Sequence, residues 1–237
     1  MTECNGEQLE FHRLGRRAVV GRFDSGTISS DGGVMLLSEV EAKTGIIERF
    51  AEQFVDYRNP ELIEHQVWEL VGQRVFALAL GYEDINDHDR LRLDPLLAAA
   101  VGKLDPTGAS RFREQDRGKA LANSSTLNRL ELTPLDGNSG SRYKKIRANL
   151  AGMDALMVSL ALESEREAPN QVWLDLDATD DPLHGNQEGR FFRGYYGHYC
   201  YLPLHIFWGE GLLCARLRRS NIEASEGSVE ELSRSVV

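Results

Sequence analysis

Gln171-Val172-Trp173-Leu174-Asp175-Leu176-Asp177-Ala178-Thr179-Asp180-Asp181 is the stretch that decides how the rest of the chain is read. Its first seven residues predict a buried strand. Residues two apart on a strand face the same side, so Asp175 and Asp177 share one face with Trp173. Val172, Leu174 and Leu176 share the other. Two carboxylates on one face of a short, mostly apolar strand need a reason. Each must be solvated, paired or bound to a metal to offset the hydration it loses. The pattern therefore predicts the metal-carboxylate strand of a nucleic-acid-processing enzyme.

Downstream, residues 191–208 and 212–218 predict two further strands joined by the hairpin signal Gly209-Glu210-Gly211. A helix is expected from Ile222 onward, with Ser220 or Asn221 at its cap. Three antiparallel strands and then a helix, with an acid on the first strand, is the opening order of the ribonuclease-H-like fold. Upstream, residues 133–142 are a Gly/Ser/Asn-rich linker and mark a boundary. A long helix is expected from Tyr143 to Arg166, its core stripe formed by Ile146, Leu150, Met153, Met157 and Leu160. Pro169 and Asn170 end it before the aspartate strand. The fold class expected is thus α/β (α+β), with a mainly helical region over 1–135 and a partial ribonuclease-H-like domain over 143–237.

Within the first region, residues 1–23 read as a tail leading to a short strand at Ala18–Phe23. Ser30 or Asp31 could cap a helix whose Val34, Leu36, Leu37 and Val40 face inward. A helix is expected to open at Pro60 behind Asn59, carry Leu62, Val67, Leu70, Val71, Phe76 and Leu80, and stop at Gly81. Residues 81–95 are dense in acids and include His88. Spacing allows a metal site there, but a polar junction with Asp and Asn caps and with acids paired to Arg90 and Arg92 explains it better. Pro95 opens a short apolar helix, and 102–120 read as a loop. Residues 121–131 predict a Ser- or Asn-capped short helix carrying Thr126, Asn128 and Arg129. This is compatible with a recognition helix, but the spacing favours an ordinary capped surface helix.

Composition sets the limits. The 237 residues are 41% hydrophobic and 27% charged, which suits a folded soluble chain. No apolar run nears the roughly 20 residues that span a bilayer. Cys4, Cys200 and Cys214 show no C-x-x-C spacing, which argues against structural zinc and for a reducing compartment. The net charge of −10 disfavours generic nucleic-acid binding. Any contact with DNA must rest on local basic clusters: Arg13, Arg16 and Arg17; Arg111 and Arg113; Arg142, Lys144, Lys145 and Arg147; Arg216, Arg218 and Arg219.

These motifs occur in a recognisable order. Ser30-Asp31-Gly32-Gly33 with Leu36-Leu37 comes first, then Gly81-Tyr82-Glu83-Asp84 with Asn86-Asp87-His88, and Leu91-Arg92 before Asp94-Pro95. Leu121-Ala122 with Ser125-Thr126-Leu127 and Arg129-Leu130-Glu131 follow. Leu174 to Thr179 with Asp180-Asp181-Pro182 and His184-Gly185 come next, and Tyr196-Gly197-His198 with Tyr201-Leu202-Pro203-Leu204 close the series. In this order the chain resembles DDE-type insertion-sequence transposases, in particular the group named after insertion sequence thirteen-eighty.

The resemblance implies a ribonuclease-H-like domain that cuts and rejoins DNA at transposon ends, with two divalent metals held by an Asp-Asp-Glu triad. Mg²⁺ or Mn²⁺ suits carboxylate oxygens. The triad's first Asp, in an Asp-x-Thr context, maps onto Asp177, with Asp175 on the same face as the competing metal ligand. The implied partner is DNA bearing terminal inverted repeats, contacted through Asn128, Arg129, Lys144 and Lys145. A homodimer or a full-length transposase is a further implied partner, and a prokaryotic cytoplasm, nucleoid-associated when on DNA, the implied location. The family's second Asp sits in an Arg-Gly-Asp-Ser-like segment and its Glu lies later. No Arg-Gly-Asp occurs here, so the chain is expected to be an N-terminal part lacking two of three triad carboxylates. A truncated transposase, a non-catalytic DNA-binding fragment that modulates a full-length relative, and a degenerate remnant remain the three expectations.

Overall fold

The computed structural model describes residues 9–21, 31–165, 167 and 169–235, which fall into two compact units divided between Asn149 and Leu150. In the first, a hairpin of β1 (Leu9–Leu14) and β2 (Arg17–Gly21) precedes α1 (Val34–Thr44) and α2 (Ile46–Ala51). Then come β3 (Phe54–Asp56), α3 (Val67–Ala79), α4 (His88–Leu91), α5 (Pro95–Ala100), α6 (Ser124–Glu131) and β4 (Ile146–Ala148). β4 pairs antiparallel with β3.

α3 shows why these elements form. The Glu69 carboxylate accepts the Gln66 N–H at 2.8 Å and the Gln66 side chain reciprocates, so the first turn is capped from both ends. Leu70, Val71, Phe76 and Ala77 then face a core shared with Val34, Leu97, Leu121, Leu127 and Ile146. Gly81 closes the helix in the left-handed region (φ 93°), and the Tyr82 N–H turns back to the Ala77 carbonyl. Asp94 caps α5 by accepting the N–H groups of Leu96 and Leu97, and Asn123 caps α6 by accepting that of Thr126. Both helices were legible from those residues.

Five expectations are corrected in this unit. Asn59 does cap a turn, but Pro60–Leu62 is a lone 3₁₀ turn, and Leu62 is exposed. The helix starts afresh at Val67, because Ile63 is extended and the Gln66–Glu69 pair provides the cap. α1 buries Val34, Met35 and Ser38 and leaves Leu36 and Val40 exposed. The Ser38 hydroxyl, donating to the Ala100 carbonyl at 2.9 Å, fixes that rotation. Gly33 holds the cap position of α1, the Asp31 carboxylate accepts the Tyr82 hydroxyl, and Ser30 lies outside the described residues. In residues 81–95 the acids satisfy backbone rather than arginine: Asp84 caps the turn at Asn86 and Asp89 accepts from Ser124. Finally, the helix expected from Tyr143 begins only at Leu150. Ile146 is a buried strand residue of β4, because its partners on β3 draw this segment into a sheet.

The second unit begins with α7 (Leu150–Ser164), which buries Asp154, Leu156 and Ala161 rather than the predicted Leu150–Leu160 stripe. A three-stranded antiparallel sheet has the order β10 (Gly211–Arg216), β9 (Leu204–Trp208), β5 (Leu174–Asp177). Between β5 and β9 the chain makes a second small sheet from β6 (Asp181–Pro182), β7 (Phe191–Arg193) and β8 (His198–Tyr201). The single strand expected over 191–208 is therefore three, broken by the Gly194–Gly197 turn, where Gly197 has φ 78°, and by Pro203.

The two-residue hairpin between β9 and β10 is as predicted, with Gly209 at φ 55°. Gly211 opens β10 against α7. A Cβ there would sit 2.9 Å from that of Ala161, so only glycine lets hairpin and helix approach this closely. Helix α8 (Ser228–Ser235) starts six residues after Ile222. Ser220, expected as its cap, is buried and donates to the Phe191 carbonyl instead. Cys200 and Cys214 are buried, as small core residues would be.

Candidate functional site

Two sites follow from the sequence, one in each unit. The aspartate strand differs from expectation first in its burial. Asp175, Leu176 and Asp177 are exposed, and Trp173, just before β5, is 74% exposed. β5 lies at the edge of its sheet, so its aspartates keep their hydration and need no buried counter-charge. Pairing sets Asp175 opposite Phe207 and Asp177 opposite His205. Opposite residues in an antiparallel pair share a face, so His205 stands beside Asp177. That neighbour was hidden in the sequence, since it depends on the β5–β9 register across a 26-residue insertion (178–203).

The other face carries Leu174 towards Leu204, Ile206, Leu213, Cys214 and Ala161. β5 is thus anchored by one leucine and presents its acids outward. The Thr179 hydroxyl donates to Asp177 Oδ1, which fixes the carboxylate where the strand ends. Asp180 is engaged by His198 Nε2 at 2.5 Å, and Asp181 enters β6 opposite Tyr201. Neither is directed to the aspartate pair by any of these contacts. Hard carboxylate oxygens suit Mg²⁺ or Mn²⁺. Yet among the described residues no three His, Cys, Asp or Glu side chains come together as a metal site. The donor type fits a divalent cation and the donor number does not complete a two-metal centre, so no chemical step is assigned through a metal.

The second site surrounds α6. Leu127 and Leu130 fix the helix in the core, and the Ser124 N–H and hydroxyl donate to the two Asp89 oxygens at 3.1 and 3.0 Å. Asn128 and Arg129 then border a groove of about 460 Å³ with Lys144, Tyr143, Ser125 and Asn86. Three of the four residues expected to touch DNA therefore converge. The guanidiniums of Arg129, which lines the groove, and of Arg142, which does not, lie over the Tyr143 ring at 5.5 and 4.9 Å. Lys145 does not line the groove. It sits at the entry to β4, where its carbonyl accepts the Tyr57 N–H. Tyr143 was missed in the sequence because it was placed inside a helix. Its signal was the Arg-Tyr-Lys-Lys run.

Comparison with known proteins gives one assignment. The family model described as transposase DDE domain group 1 matches residues 11–237, nearly the whole chain. No curated protein and no solved structure matches it. Among the described residues no helix is long and apolar enough to cross a membrane.

Proposed function

The chain belongs to the transposase DDE domain group 1 family, and from that premise we propose that it binds transposon-end DNA and carries the first carboxylate of the DDE triad. We assign it to the group named after insertion sequence thirteen-eighty. The observation that carries this is the placement of Asp177 at the end of an open-faced strand that begins an antiparallel series, β5, β9 and β10, followed by α8. We take that series as the opening of a ribonuclease-H-like core. Asp177 is the triad residue, Asp175 its neighbour on the same face, and Mg²⁺ or Mn²⁺ the cation such oxygens would favour.

The α6 groove supports the DNA half of the proposal. Arg129 and Lys144 would take phosphates and Asn128 a base edge or a phosphate. Because no third metal-binding side chain joins Asp175 and Asp177 among the described residues, the 237-residue chain is proposed to bind terminal inverted repeats without joining them.

The test is a labelled inverted-repeat duplex incubated with the chain and Mg²⁺ or Mn²⁺. Retention of the repeat over random duplex is expected, with no strand transfer. Asp177-dependent strand transfer would overturn the proposed incompleteness, and equal affinity for random DNA would remove the role at transposon ends. Mn²⁺ supplies an independent readout. Paramagnetic broadening of the His205 ring resonances, lost in Asp177→Asn, is expected if Asp177 takes a cation.

A further inference from the structure

A second groove, of about 620 Å³, shares Ser125 and Arg129 with the first, and the rest of its lining differs in chemistry. Five arginines from four separate chain segments border it: Arg58, Arg92, Arg111, Arg113 and Arg129. In a chain of net charge −10 such a convergence is not an average surface. Glu61, Glu64 and Asp116 also line the groove, so its balance depends on which arginines are already engaged. Arg58 is forked onto Asp56 at 2.7–3.0 Å, and Arg111 onto Glu64 at 2.8 and 3.4 Å. Among the described residues Arg92 and Arg113 have no ion pair, and Arg129 has only the Tyr143 ring. Those three cations face two carboxylates, Glu61 and Asp116, that likewise have no ion pair among the described residues, so the groove keeps an excess of one positive charge for an anionic ligand.

The floor is built to keep this charge in place. His65 is buried and neutral, its pKa held far below the ordinary imidazole range by burial and then by Lys103, Arg111, Arg58 and Arg92. As a neutral ring it accepts from Arg111 Nη1 at 3.0 Å, while the same guanidinium donates to the Lys119 carbonyl at 2.8 Å. Arg111 is thus fixed by three acceptors, and the residue next to it stands out. Phe112 borders the groove and is 90% exposed. Single exposed apolar side chains are common, but this one is a flat aromatic ring set between two arginines at the lip of a basic groove.

We propose that this groove holds a single DNA strand, with its phosphates on Arg92, Arg113 and Arg129 and an unpaired base stacked on Phe112. The combination of a cationic track with a free aromatic face is what an unpaired strand requires. A paired base hides its π-face in the stack, so Phe112 gains nothing from an intact duplex. The proposal rests on the DNA-binding role above and adds to it a preference for DNA that is locally open.

The test uses the 237-residue chain and labelled duplexes that are either fully paired or carry a short unpaired segment containing 2-aminopurine. Tighter binding of the open duplex by roughly tenfold is expected, with the 2-aminopurine fluorescence quenched by stacking. Phe112→Ala should abolish both the preference and the quenching while leaving affinity for paired DNA unchanged, and Phe112→Trp should restore them. Arg92→Gln and Arg113→Gln should each lower the salt slope on open DNA by about 0.7. Equal binding of open and paired duplexes, or a preference that survives Phe112→Ala, would overturn the proposal while leaving duplex binding intact. Failure to bind DNA of either form would overturn the DNA-binding role as well. At 90% exposure Phe112 contributes little to folding, so its variants report on binding.

Discussion

The two units hold their candidate sites by opposite means. Around α6 the functional side chains project from elements fixed in a broad apolar core. Nineteen buried residues form that cluster, including Leu70, Leu97, Leu121 and Leu127. Around β5 the corresponding cluster has five, and ionic contacts supply much of the remaining order. Arg216 on β10 donates to Asp154 on α7 and to Glu231 on α8, and Arg234 reaches both acids. One arginine thus ties three elements together beneath the aspartate sheet. Apolar burial is indifferent to pH, and orients through shape. An ion-pair network orients through charge and is strong only while every member is present.

The sharpest way to break this contrast is truncation. Leu127→Ala, at a fully buried position on α6, should cost about 4 kcal/mol in urea denaturation, because a broad, dense core collapses poorly around a cavity. Leu204→Ala on β9 should cost nearer 2 kcal/mol, since the smaller cluster can close over the loss. Equal costs would show that the two cores differ in size but not in rigidity.

Charge deletion should reverse the order. Arg216→Ala leaves Asp154, whose side chain is 7% exposed, with only Arg234 at 3.2 Å, and should destabilise by about 2–3 kcal/mol. Arg74→Ala removes a pair with the exposed Glu131, worth under about 1 kcal/mol, together with the guanidinium's donations to the Tyr82 and Glu83 carbonyls, and should still cost less than Arg216→Ala. A chemical-denaturation comparison of the two variants would sink the idea of an ion-held second unit if Arg74→Ala proved the more damaging.

Acid should separate the units in the other direction. His88 is fully buried, and its pKa is lowered to about 4, mainly by burial and then by Arg74. Its Nδ1 is satisfied by Gln73 at 2.9 Å, whose amide also bridges both backbone groups of Ala122. The unfolded chain binds a proton here near pH 6.5 and the folded one only near 4. Stability from this group is therefore complete above about pH 6.5 and is lost as pH falls towards 4, by roughly 3 kcal/mol in all. His88→Gln should flatten the urea midpoint between pH 7 and 5. In the second unit burial raises the pKa of Glu231, but Arg216 and Arg234 pull it lower overall. Its contribution persists above the ordinary carboxylate range and fades only in stronger acid. A pH 5–7 dependence unchanged by His88→Gln would remove His88 as the titrating group.

What was legible in the sequence divides along the same line. Caps and stops are local chemistry, so Asp94-Pro95, the Asn123 cap of α6, Gly81 and the Gly209-Glu210 turn could be placed without the fold. Asn128, Arg129 and Lys144 were named from residue type alone, and the structure brings them to one groove. The failures were long-range. Whether Ile146 is helical or extended depends on β3, about ninety residues earlier in the chain. The face of α1 depends on a hydrogen bond to Ala100. His205 beside Asp177 depends on a register that no local pattern encodes. The burial expected for the aspartate strand was inferred from its apolar residues, but an edge strand can expose Leu176 and both acids at once.

The smallest expected effects concern DNA, and they use the side chains in which the two grooves beside α6 differ. Lys144 borders only the first groove, whereas Arg129 borders both. Lys144→Ala should weaken fully paired DNA by about 1 kcal/mol and lower the salt slope by about 1, with the unpaired preference unchanged. Arg129→Ala should weaken paired and open DNA alike, because the same guanidinium leaves both surfaces. Asp177→Asn, in the other unit, should alter neither in the absence of divalent metal. Fluorescence anisotropy across a salt series separates these outcomes. If Lys144→Ala and Arg129→Ala gave identical profiles on the two DNA forms, the two grooves would be acting as one surface.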